Sequence, residues 1–203
     1  MPARRRADTP QRILEAAVEL FIAKGYHATS MRQIARRAGV TPAAIYNHFR
    51  SKERIFLEVF RENVPLRVLV EVVDSAQGET VEDLLQDVVH RWSGAMVGKV
   101  DRLRLVFVEL LEFQGRHVPT LAPEFVPRAM GFAARLSRAG GRLRPVRPTI
   151  IVRAIGGLLM SYAITQQFFS RVPEFGDDPQ ALDGLGDILL HGLVDTSSTG
   201  LQP

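Results

Sequence analysis

Between residues 25 and 51 the chain is punctuated so closely that only short helices fit. Gly25 and Gly39 read as left-handed helix stops. Ser30, Thr41-Pro42 and Ser51 read as starts, because a side-chain oxygen can accept a backbone N–H of the first turn and proline suits the first helical position. Ser30 and Gln33 have the spacing of a capping box. After Ser30, Met31, Ile34, Ala35 and Ala38 make one apolar face, with Arg32, Gln33, Arg36 and Arg37 facing outward. Val40, Ile45 and Phe49 are spaced to pack against Ile34, Ala35 and Ala38 across the Gly39 turn. Two helices locked at a sharp turn have helix-turn-helix geometry. The second, running from Pro42 through about His48, presents Ala43, Tyr46, Asn47 and His48 outward. Small residues at its start let backbone approach base edges, and polar ones further on reach phosphates or bases.

Charge follows this division. Residues 1–54 hold eleven Lys and Arg against four Asp and Glu, a net of +7, whereas the remainder holds fifteen against eighteen, a net of −3. The whole-chain charge of +4 hides this contrast. A basic first quarter on a mildly acidic body points to a polyanion as the partner of the first quarter alone. A turn of this kind alone is weak, since a helical hairpin with a solvated basic face has one too. The local charge, the cap-proline start and the exposed Tyr, Asn and His together favour the DNA reading. The chain contains no cysteine, which removes disulfides, thiolate metal sites and cysteine nucleophiles. The basic N-terminus is followed by no apolar run of signal-peptide type, and a cytoplasmic protein is expected.

Helical periodicity dominates the chain, and nothing long alternates with period two. The first helix is expected from about Thr9 to Lys24, with Thr9 as cap, Pro10 at the first position, and Ile13, Ala16, Ala17, Leu20 and Phe21 on one face. Ser51 opens a fourth helix reaching towards Val73. Further helices are expected at roughly 80–97, 101–115, 121–139, 147–170 and 178–194, several of them opened by Thr80 with Asp83, Asp101, Thr120 and Asp178-Pro179. Gln77-Gly78, Gly140-Gly141 and Pro173 to Pro179 read as connections, and the polar tail from Asp195 as frayed. The expectation is an all-α chain of about nine helices, divided into residues 1–54 and 55–203.

The run LEAAVELFIAKGYHATSMRQIARRAGVTPAAIYNHFRSKERIF, within Ile13 to Phe56, resembles the DNA-binding domain of the TetR family of transcriptional regulators. The shared elements are Lys24-Gly25-Tyr26, Thr29-Ser30, Ala38-Gly39-Val40, Ile45-Tyr46, His48-Phe49 and Ser51-Lys52-Glu53. The resemblance covers the first quarter in detail; beyond it only length and helical pattern agree. It implies an N-terminal three-helix DNA-binding domain, and a C-terminal helical domain for ligand binding and dimerisation. It also implies DNA contact by Ser30, Arg32, Thr41, Pro42, Ala43, Ala44, Tyr46, Asn47, His48 and Lys52. Arg32 has two readings, a forked contact to guanine or a phosphate contact. Ala44 offers only main chain, and Arg4 to Arg6 either enter a minor groove or add nonspecific attraction.

For the body, the resemblance implies an apolar ligand pocket, with Trp92, Met96, Phe107, Leu110, Leu111, Phe113, Phe125, Phe132, Tyr162 and Gln166 as candidates. Each one singly is also an ordinary core residue. Arg104, Glu109, Glu112 and His117 either lend that pocket polar specificity or form solvated helix faces. The stretch Ile150 to Phe169 is apolar, but Arg153, Gln166 and Gln167 argue against a membrane span. With the last helix it resembles a two-helix dimer face, for which Arg153, Gly156, Gly157, Met160, Ala163, Ile164, Leu185, Ile188 and Leu189 are candidates.

No catalytic residue, cofactor or metal is expected. The chain lacks a Gly-rich phosphate loop, a G-x-S-x-G elbow and H-E-x-x-H. Its five histidines are scattered, and Glu109 with Glu112 has no Glu-x-x-His partner for a di-iron site. The expected protein is a homodimeric repressor on a palindromic double-stranded operator, released by a small, largely apolar effector. Other classes remain: a small-molecule-binding helical protein without specific DNA binding, a nonspecific architectural DNA binder, and an all-helical metal oxygenase.

Overall fold

In the first sixty residues, side chains and glycines set where the helices start and stop. The computed structural model describes residues 9–140, 143–169, 171–173 and 180–193. Helix α1 spans Thr9–Lys24, and Gly25 ends it at φ 82°. Helix α2, Met31–Arg37, begins on the full Ser30–Gln33 capping box: Ser30 Oγ accepts the Gln33 N–H at 3.3 Å, and Gln33 Oε1 accepts the Ser30 N–H at 2.7 Å. Helix α3, Pro42–His48, has Thr41 Oγ1 accepting the Ala44 N–H at 3.1 Å. Helix α4, Lys52–Asn63, has Ser51 Oγ accepting the Arg54 N–H at 3.2 Å.

The expected fourth helix to Val73 is in fact two. Val64 is extended (φ −66°, ψ 136°) and α5 restarts as Pro65–Ser75. Proline disfavours helical backbone at the residue before it, and its own nitrogen has no hydrogen to donate. Helix α6, Val81–Met96, opens on the Thr80–Asp83 box. Helix α7 is Leu103–Glu112, after a short 3-10 turn at Val100–Arg102. It stops before residue 115 because Gln114 (φ 55°) and Gly115 (φ 75°) both turn left-handed. A second 3-10 turn, Val118–Leu121, leads into α8, Ala122–Arg138. Helix α9 is Pro148–Phe169 and α10 is Ala181–Leu193. No strand occurs among the described residues; Thr80 and Gly140 form an isolated bridge. The chain is all-α, as expected. Arg4 to Arg6, Gly141, the Asp178-Pro179 cap, most of the Pro173 to Pro179 connection and the tail from Asp195 lie outside the described residues.

Packing divides the chain into two units, and the division differs from a boundary at residue 54. The first unit, here the head, is Met1–Val64 with Asp101–Leu121; the second, the body, is Pro65–Val100 with Ala122–Pro203. The head core is built from Ile13, Ala17, Phe21, Ile34, Ala35, Ile45, Ile55, Phe56 and Val59, all fully or almost fully buried. Phe113 after α7 joins it, with ring centroids 4.8 Å from both Tyr26 and Phe56. Such contacts add about 0.5–1.5 kcal/mol per pair beyond burial. They explain why α7 belongs with α1 to α4 although a long stretch of body intervenes. In the body, α9 is long and apolar enough by composition alone to cross a membrane. It buries Ile151, Ile155, Leu159 and Ala163 on one side and packs with α8 and α10.

Candidate nucleic-acid interface

The α2–turn–α3 motif is held from inside and from behind. Inside, Ile34, Ala35, Ala38 and Ile45 form the buried seam. At the turn, the Val40 N–H donates to the Ala35 carbonyl at 2.9 Å, and Gly39 takes φ 66°. From behind, the Arg12 guanidinium of α1 donates to the Ala38 carbonyl. A Cβ at Gly39 would stand 2.8 Å from that guanidinium and push it aside, and the backbone at φ 66° is what calls for glycine. A seven-residue helix is too short to persist alone. The seam, both caps and Arg12 supply what α3 lacks.

The outer side of the motif is open. Pro42, Ala43, Asn47 and His48 are exposed, Tyr46 is 54% exposed, and Ala44 is half-buried. Ser30 and Thr41 are exposed but already act as caps, each with an oxygen lone pair left for another donor. Around them, the guanidinium groups of Arg32, Arg36 and Arg50 have no hydrogen-bond or ion-pair partner among the described residues. Arg37, by contrast, is paired with Glu19 at 2.5 Å, and Arg54 with Glu58 at 3.3 Å. Arg32 therefore remains free for either of its two readings.

Lys52 has a different placement from the other candidates. Its ammonium donates to the Tyr26 and Thr29 carbonyls, each at 2.7 Å, and lies 4.1 Å from the Tyr26 ring centre. Two of its three protons are thus spent tying α4 to the α1–α2 connection. Burial pulls this ammonium below its ordinary value of 10.5, with the charge of Glu112 opposing. The same burial pushes the Tyr26 hydroxyl above 10.0, with Glu53 adding to it. Sequence reasoning missed Arg12 and its 26-residue reach to Ala38, for which α1 carries no local signal.

The body holds an apolar cavity of about 390 Å³. Its walls are Leu66, Leu69, Val70 and Val73 of α5, Phe125, Ala129 and Phe132 of α8, and the Ile151 to Met160 side of α9, with Arg153 as the only charged group among its described walls. Of the expected pocket residues, Phe125 and Phe132 line it. Trp92 and Met96 are buried on α6, and Tyr162 and Gln166 half-buried on α9, but none of the four lines this cavity. The Trp92 indole N–H is buried with no partner among the described residues. Four expectations on α7 and after it need correcting. Phe107, Leu110 and Leu111 are exposed on a head helix, and Phe113 is bound into the head's aromatic cluster. Long range decides this: nothing local in the sequence assigns α7 to the head.

The expected dimer residues also divide. Arg153, Gly156, Gly157 and Met160 line the cavity. Ala163 is 4% exposed, so its methyl is already packed within the chain and is not available to a partner. Ile188 is 71% exposed, and Ile164, Leu185 and Leu189 are half-buried. Among the described residues no cluster of His, Asp and Glu has metal-binding geometry.

The motif region matches the model of the family described as "Bacterial regulatory proteins, tetR family" over residues 13–59. The chain is 34% identical over 114 residues to the HTH-type transcriptional regulator SrpR of Pseudomonas putida, covering 53% of this chain and 47% of that one. It is also 34% identical over 114 residues to TtgW, an uncharacterized HTH-type transcriptional regulator of Pseudomonas putida, covering 53% of this chain and 75% of that protein. The match therefore spans about half the length of SrpR and three quarters of TtgW. Among solved structures, NalD, described as the secondary repressor of the MexAB-OprM multidrug efflux pump in Pseudomonas aeruginosa, is similar with a TM-score of 0.64 at 27% identity. That likeness covers 95% of this chain and 99% of NalD.

Proposed function

The chain belongs to the TetR family of bacterial regulatory proteins, and from that premise we propose that it is a cytoplasmic transcriptional repressor. It binds a palindromic double-stranded operator as a homodimer and leaves it when a small, largely apolar effector occupies the body. The observation that carries the reading is α3. A seven-residue helix is fixed by the Thr41 cap, the buried seam and Arg12, while Pro42, Ala43, Tyr46, Asn47 and His48 stay uncovered. Arg32, Arg36 and Arg50 supply unpaired positive charge beside it. A dimer doubles this surface, so two α3 helices meet two half-sites of an operator with matching symmetry.

The cavity between α5, α8 and α9 supports the effector half of the reading. Its lining is almost wholly apolar, which favours an apolar ligand with at most a small polar or anionic group near Arg153. Release needs a ligand that binds one arrangement of head and body better than another. The chain passes from one unit to the other at Val64-Pro65, Val100-Asp101 and Leu121-Ala122, and these crossings are the routes for such coupling. The test is binding of the full chain to the promoter region of its own gene and to a scrambled duplex, at about 150 mM salt. The reading expects a preference for the promoter of at least about a thousandfold. Equal affinity for both duplexes would mean a nonspecific DNA binder, and binding to neither a helical small-molecule binder.

A further inference from the structure

A carboxylate–imidazole–carboxylate chain lies inside the head, apart from the DNA-facing surface. Glu109, in the last turn of α7, is 1% exposed, and His117, in the connection after it, is 7% exposed. Glu109 Oε1 accepts the His117 backbone N–H at 2.7 Å, and Oε2 lies 2.8 Å from His117 Nδ1. The other ring nitrogen, Nε2, faces Glu53 Oε1 at 3.3 Å. Glu53 is the second residue of α4, whose first turn follows α3 after only three residues. The imidazole is wedged between aromatic rings, 4.7 Å from Phe113 and 6.1 Å from Phe56 between centres.

The proton count of this chain follows from its geometry. A neutral imidazole has one N–H and one lone pair. With both carboxylates ionised, that lone pair would face a carboxylate oxygen on one side or the other. Both contacts are satisfied only when the trio holds one proton more, and the count is the same whether it rests on His117 or on Glu109. Buried charges of this kind persist when they are paired. The charged and titratable groups around the trio come from every element packed there. They are Lys52 beside Glu53 on α4, Glu112 on α7, Arg116 at 3.1 Å from Glu53, and Tyr26 and His27 of the α1–α2 connection.

Resting on the DNA-binding reading, we propose that Glu109, His117 and Glu53 form a proton-holding strap that positions α4, and through it α3, for operator binding. All three are positioning residues and touch no DNA. Loss of the proton turns one donated hydrogen bond into a lone pair against a carboxylate oxygen, which loosens the hold on Glu53, while Arg116 and the Phe56–Phe113 stack still tie the segment after α7 to α4. The sign follows: the strap is intact on the acid side and lost as pH rises, so operator affinity falls with rising pH. Lys52 and Ser51 hold the same turn of α4 independently, so the head keeps its fold while its alignment relaxes.

The experiment is fluorescence anisotropy of the full chain on its own promoter duplex, from about pH 5 to 8 at constant ionic strength. Wild-type affinity should fall across that range by at least about fivefold, the lower end of ordinary coupling between sites. His117→Gln and Glu53→Gln should each flatten the profile, because neither variant needs the extra proton. His27→Gln, on the exposed pair with Glu112, should retain it. Thermal melts establish that each variant folds; if His117→Gln does not, Glu53→Gln, at a half-exposed position, carries the test. A profile that survives both His117→Gln and Glu53→Gln, or that vanishes in His27→Gln, overturns the strap. Specific binding that is flat with pH in the wild type overturns the strap and leaves the repressor reading standing. No specific binding at any pH defeats both.

Discussion

Lys52 shows how one side chain serves the frame rather than the surface. Its ammonium satisfies the Tyr26 and Thr29 carbonyls, so Lys52→Met keeps the length but removes both donors. The expected cost is about 1–3 kcal/mol, seen as a lower midpoint in urea denaturation, with Lys52→Arg retaining part of the stability. Gly39 is the second such position. Gly39→Ala must hold φ 66° and displace Arg12, for about 1 kcal/mol or more of lost stability in the same measurement. The Gly39 requirement is legible in the sequence, because a glycine between two capped helices has a local reason to be there. The Lys52 role is not, since its partners lie 23 and 26 residues away. The Glu53–His117 contact, spanning 64 residues, is hidden for the same reason.

Helices in this chain begin where a side chain caps them, and that made most starts readable. Thr80 and Asp83 at the head of α6 offer a direct check. Thr80→Ala should cost about 1 kcal/mol in thermal unfolding. Asp83 is held below its ordinary value of 3.8, chiefly by the hydrogen bond with Thr80. A carboxylate lowered on folding stabilises the fold above its unfolded value and loses that contribution as pH falls through the folded one. Acid unfolding of Asp83→Asn should therefore lack the part of the wild-type pH dependence that lies below about 4. Ends were harder to read than starts. Gln114 stops α7 in a left-handed conformation that glutamine rarely signals, whereas Val64-Pro65 breaks the expected fourth helix by a rule that the sequence does display.

At the scale of the whole chain, composition set the first quarter apart as basic, but did not tell which helices pack with it. Helix α7 joins the head through Phe113, and the cavity draws on α5, α8 and α9, including four residues expected at a dimer face. Apolar periodicity marks which side of a helix is buried and is silent on what covers it. If the cavity is the effector site, Ala129→Trp fills it. That variant should keep operator affinity within about twofold while losing the effector response, at a packing cost of about 1–3 kcal/mol. Loss of operator binding together with the response would instead mean that the body no longer folds correctly.

If the uncovered face of α3 reads DNA, Tyr46 is the side chain to show it, because it is 54% exposed and its removal leaves the buried seam intact. The measurement is anisotropy of wild type and Tyr46→Ala on the promoter duplex and on a scrambled one, at about 150 mM salt. Tyr46→Ala should lose about 1–3 kcal/mol of promoter affinity with its melting temperature and its scrambled-duplex affinity unchanged. Promoter binding that is indifferent to Tyr46, or equal on the two duplexes, would mean that α3 does not read DNA.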